Sequence, residues 1–77
     1  MMKSMTEIKS YEMGKGYMLD LTVSRDTYEA WIWRQGFGVK ELFYSCLKSR
    51  ISEEAFLAEA ERMYPEQADK YAQAYAG

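Results

Sequence analysis

The sequence predicts a small α+β domain, with an N-terminal β-hairpin followed by three to four short helices in the order ββαααα. One compact domain over residues 1–77 is expected. Three observations carry this reading. Residues 6–23 alternate apolar and polar side chains around Gly14-Lys15-Gly16, whereas residues 24–76 show apolar spacings of three and four. The third is composition: 48% of residues are hydrophobic and 16% aromatic, unlike the apolar-poor, highly charged make-up of disordered chains. A chain this short buries only roughly 60% of the surface its unfolded form exposes. Large rings must therefore supply much of the core.

Residues 1–5 are expected as a flexible N-terminus and 6–23 as the hairpin. With Gly14-Lys15-Gly16 as its loop, Met13 meets Tyr17 and Tyr11 meets Leu19, and Leu21 and Val23 follow on the same face. Ile8, Ser10, Glu12, Met18, Asp20 and Thr22 take the other face. A slip of one residue would scatter the apolar set, so the register is well specified.

Residues 24–76 form the expected helical part. Ser24 or Asp26 caps a first helix, and Asp26 and Glu29 have capping-box spacing. Tyr28, Trp31 and Ile32 make its apolar stripe and Gly36 ends it. A second helix, from about Val39 to Arg50, places Val39, Leu42, Phe43, Cys46 and Leu47 at i, i+3, i+4, i+7 and i+8. Ser52 caps a third, with Phe56, Leu57, Ala60, Met63 and Tyr64 inward. Pro65 stops that helix and opens a fourth, which carries Ala68, Tyr71, Ala72 and Tyr75 and a Glu66–Lys70 pair. A lone hairpin is marginal in water, so the first helix is expected to cover its apolar face.

The residues exclude much chemistry. The chain has no histidine, which removes the commonest general base and the commonest metal ligand. Its one cysteine, Cys46, cannot form an internal disulfide and sits within an apolar stripe, where an unactivated thiol is inert. Glu54 and Glu61 are seven apart and share a helix face, but a paired-acid site requires one of them to be desolvated, and their surroundings read as a solvated face. "GKG" lacks the upstream glycine and the following Ser or Thr of a phosphate loop. The expectation is a protein that is not an enzyme, with no cofactor and no metal. The lack of a signal-like apolar core in "MMKSMTEIKS", of any membrane-length apolar run and of a cysteine pair points to a cytoplasmic protein without a membrane.

What remains are surfaces. Trp33 lies off the stripe of the first helix, and tryptophan is enriched at binding hot spots. Lys40, Tyr44 and Lys48 make a ridge at i, i+4 and i+8. Residues 25–50 carry Arg25, Arg34, Lys40, Lys48 and Arg50 against Asp26, Glu29 and Glu41, a net +2, whereas residues 51–77 are net −4. Trp33, Lys40, Tyr44, Lys48, Glu54 and Glu61 are the candidate partner-binding residues. The expected function is binding of a protein partner, at class level a phage or mobile-element inhibitor of a host nucleic-acid-handling enzyme (anti-CRISPR-like). In that reading the acidic tail occupies a basic channel on the target.

The alternative is a DNA-binding regulator. Residues 19–48, with "GFGVKELFYSCLK" as turn and second helix, resemble the ribbon-helix-helix repressors, in which a strand is followed by a helix, a glycine turn and a second helix. The resemblance implies that alternate strand residues, here Met18, Asp20 and Thr22, enter the major groove of DNA as a dimer. Nucleic acid is thus the less favoured partner, because the chain is acidic overall. A homodimer through the hairpin edge is a further expectation, since Lys9 and Lys15 guard that edge only in part.

Overall fold

Alternation, not helical spacing, governs the chain as far as Leu47. The computed structural model describes residues 6–76. Its order is β1 (Glu7–Gly14), β2 (Tyr17–Val23), β3 (Thr27–Arg34), β4 (Lys40–Leu47) and α1 (Glu53–Tyr71), which a π-helical turn over Ala72–Ala76 continues. The strands form one antiparallel meander, β1-β2-β3-β4. The architecture is therefore ββββα, which corrects the expected ββαααα. The expected flexible N-terminus, residues 1–5, lies outside the described residues.

The hairpin pairs Tyr11 with Leu19 and Lys9 with Leu21, and a register shift between Glu12 and Gly14 brings Gly14 opposite Tyr17. The loop is thus two residues, not three. Lys15 and Gly16 both have positive φ, 58° and 84°, as a type I′ turn requires.

The first two expected helices are strands for identifiable reasons. "TYEAWIWR" satisfies two templates: Tyr28, Trp31 and Ile32 fit a helix stripe, but Tyr28, Ala30 and Ile32 fit a strand, and these three are the buried set. Threonine, tyrosine, isoleucine and two tryptophans favour the strand. In β4 the period of two is broken by a bulge. Ala30 pairs with Tyr44 but Trp31 pairs with Leu42, leaving Phe43 as the extra residue. The bulge turns Phe43, with Tyr44, toward the helix side, where Phe43 meets the Tyr64 ring at 6.0 Å, and leaves Leu42 on the other side, so the apolar spacing in the sequence imitates a helix. Between β3 and β4, Phe37 N–H bonds the Arg34 carbonyl at 3.1 Å, and Gly36, with φ 92°, takes the positive-φ corner of that turn.

The last two expected helices are one. Ser52 does cap it, its hydroxyl accepting from Ala55 N–H at 3.1 Å. Pro65 is inside α1 and does not end it. A proline there removes the bond to the carbonyl of residue 61, but Glu61 and Pro65 are both exposed, so water can serve the freed oxygen.

Helix α1 lies on one face of the sheet. Leu19, Leu21, Tyr28, Ala30 and Ile32 from the sheet and Phe56, Ala60, Tyr64 and Tyr71 from the helix form the buried core. Phe56 stacks on Tyr44 with ring centroids 4.6 Å apart and tilts against Tyr28 at 5.3 Å. Burying such a side chain fully stabilises the fold by about 1.5–3 kcal/mol. The hydroxyls of Tyr64 and Tyr71 donate to the carbonyls of Met18 and Val39, each at 2.7 Å, so the polar ends of these rings are satisfied. Lys9 and Glu53 form an ion pair that ties β1 to the helix start. No helix of the described chain is long and apolar enough to cross a membrane.

Candidate functional site

None of the described elements covers the other face of the sheet. Strand alternation and register place three cross-strand rows there: Glu12-Met18-Trp33-Lys40, Ser10-Asp20-Trp31-Leu42 and Ile8-Thr22-Glu29-Ser45. Leu47, opposite Thr27, extends the same face. Ile8, Leu42 and Leu47 are 57%, 46% and 47% exposed, whereas the buried apolar residues all belong to the helix side.

A carboxylate holds the middle of this face. Asp20 is only 2% exposed, although the one described α-helix lies on the opposite face. It accepts from Ser10 Oγ at 2.8 Å and from Lys40 Nζ at 2.7 Å. To reach it, the Lys40 ammonium passes over the Trp33 ring, 5.5 Å from its centroid. Burial pushes the Asp20 carboxyl up, but Lys40, Trp33 and Ser10 together outweigh it and hold the group below the usual carboxylate range. The approach of the Trp33 indole N–H falls outside hydrogen-bond geometry, and Nε1 is the one buried side-chain nitrogen or oxygen left without a partner among the described residues. The ionised Asp20 thus locks Lys40 over Trp33 and braces two neighbouring rows.

The six residues singled out from the sequence disperse. Trp33 does lie away from the core, on the open sheet face rather than the back of a helix. Lys40 joins it there. Tyr44 points to the opposite side and stacks on Phe56, so the Lys40–Tyr44–Lys48 ridge does not exist; on a strand with a bulge these spacings do not share a face. Lys48 follows β4, donates to the Ser24 carbonyl at 3.1 Å and lies over the Tyr28 ring. Glu54 and Glu61 are exposed on α1. Glu61 also borders a hollow of about 530 Å³ between the hairpin turn and α1, walled by Met13, Tyr17, Tyr64 and Pro65. The Tyr64 hydroxyl on that wall is already committed to Met18, so it is not free to orient a ligand there.

Trp31, Leu42 and Leu47 are the residues of this face that sequence reasoning missed, because each also fits the helical stripe that the spacing predicts. The signal was the alternation in "TYEAWIWR", which puts Trp31 beside Trp33 on one side. Residues 19–48 form strands β2 to β4, so the strand-helix-turn-helix of the ribbon-helix-helix repressors is not present. No group of three or more acidic or cysteine side chains suited to a metal ion occurs among the described residues. Compared with known proteins, the chain matches no family model, no curated protein and no solved structure.

Proposed function

We propose that this chain is a non-catalytic binding protein that docks a protein partner on the open face of its sheet. One observation carries the reading: two tryptophans and three exposed aliphatic side chains share a surface that none of the described elements covers. Contiguous apolar surface of this kind marks interaction sites, and tryptophan at the centre of such a patch supplies anchors. The Asp20–Lys40 brace holds those anchors in place before a partner arrives, which lowers the ordering cost of binding. A cytoplasmic location accords with the unpaired Cys46.

The inhibitor form of this reading would use the acidic helix instead. Glu54, Glu61, Glu66 and Asp69 are exposed on α1, but Arg62 and Lys70 are interleaved with them, so no single-sign surface results. Self-pairing through the hairpin edge draws on β1, where Glu7, Lys9, Glu12 and the irregularity before Gly14 blunt strand addition. The sheet face is therefore the favoured site.

The test is differential capture from the native host with three proteins: the unaltered chain, Leu42→Asp, and Glu54→Gln combined with Glu61→Gln. A protein partner held by the first and third and lost with Leu42→Asp is the expected result. A partner lost only with the glutamine pair would move the site to the helix.

A further inference from the structure

We propose that the partner presents an arginine to the open face, in the depression walled by Ile8, Thr22, Glu29, Trp31 and Lys40. This deepens the docking reading above and rests on it. The depression has a volume of about 220 Å³. Ile8 and Trp31 supply apolar wall, and the two charged groups are not equivalent. The Lys40 ammonium is committed to Asp20 at 2.7 Å, so the lysine and the buried carboxylate neutralise each other. Glu29 has no ion pair among the described residues, and it stands between Thr22 and Ser45 within the sheet. The net charge left in the depression is negative.

An aromatic ring beside an unpaired carboxylate is matched by a flat cation on an apolar stem. A guanidinium can stack on the Trp31 indole and meet the Glu29 carboxylate in fork geometry, while its methylenes lie along Ile8. A lysine ammonium is a compact, strongly hydrated point charge and stacks less well. A second copy of this chain is a poorer occupant by the same charge accounting. Face to face, each copy would bring Glu12 and Glu29, neither ion-paired among the described residues, while Lys40 is already committed to Asp20, so the two faces carry like net charge, which opposes association.

The experiment is selection from a random dodecapeptide library on the immobilised full-length chain, followed by affinity measurement on synthetic peptides. The peptides are compared with forms in which each arginine is replaced by lysine or by uncharged citrulline. Binding is measured to the unaltered chain, Glu29→Gln and Leu42→Asp, with the melting temperature of each variant recorded. The expected result is peptides that pair arginine with apolar residues and lose affinity about tenfold or more with citrulline. They lose less with lysine, and Glu29→Gln, folded as the unaltered chain, weakens them to a similar degree. Peptides abolished by Leu42→Asp but indifferent to citrulline and to Glu29→Gln would overturn the arginine proposal while leaving the docking face intact. Recovery only of peptides insensitive to both variants would overturn the proposal and the docking reading together.

Discussion

Asp20 shows how much one residue organises here. Its carboxyl is buried on the face opposite the described helix, and its pKa is lowered because its donors outweigh burial. Lowering below the unfolded value, about 3.9, means the ionised group stabilises the native state. That contribution is fully present above the unfolded value and is lost as pH falls from there through the lowered native value. Asp20→Asn should therefore cost about 1–3 kcal/mol in equilibrium unfolding at neutral pH, with the difference from the unaltered chain shrinking below about pH 4. Removing the cation tests the opposing forces: with Lys40→Met, burial is no longer offset by the ammonium, and the Asp20 titration followed by carboxyl NMR should move upward. Lys15 is a smaller case. It is the one non-glycine residue with positive φ among the described residues, at the first corner of the hairpin turn. Lys15→Asn should raise stability by roughly 0.5–1 kcal/mol, because asparagine tolerates that conformation better.

At the scale of elements, the legible parts were those with local punctuation. Two glycines around Lys15 mark the hairpin, and the burial pattern fixes Tyr11 opposite Leu19. Ser52 marks a helix start, and the Phe56-Ala60-Tyr64 spacing marks its inner face. Strands β3 and β4 were not legible from spacing because eight residues are too few to separate periods of two and 3.6. The bulge at Phe43 then made β4 look helical. Composition would have decided: "TYEAWIWR" is rich in residues that favour strands. The candidate site was half legible for the same reason. Trp33 stands out by residue type alone, but its companionship with Trp31 depends on their being two apart on a strand. Pro65 misled in the other direction. Proline costs up to about 3 kcal/mol inside a helix, yet α1 runs through it because its inner face is anchored on both sides, by Phe56, Ala60 and Tyr64 before it and Tyr71 after. Pro65→Ala should raise the unfolding free energy, by up to that amount, without changing helical circular dichroism.

For the whole molecule, the governing feature is that one helix covers one side of a four-stranded sheet. The helix side concentrates nearly every packed ring, so Phe56→Ala should cost about 3–5 kcal/mol and leave little folded protein at ordinary temperature. The other side retains tryptophans and aliphatic groups around a braced ion pair. On the docking reading proposed above, that division of labour leaves the helix side to hold the fold and the other side to meet a partner.

Leu42 and Tyr44 test that division most directly, because they are two residues apart in sequence yet separated by the bulge onto opposite faces. Equilibrium unfolding of Leu42→Asp and of Tyr44→Asp, measured side by side, is the decisive comparison. Leu42→Asp should change stability by no more than about 0.5–1 kcal/mol, as an exposed substitution does. Tyr44→Asp should abolish the cooperative transition by burying a charge against Phe56. The reverse order, with Leu42→Asp unfolding the chain and Tyr44→Asp tolerated, would put residues 39–50 back on a helix and contradict the open sheet face.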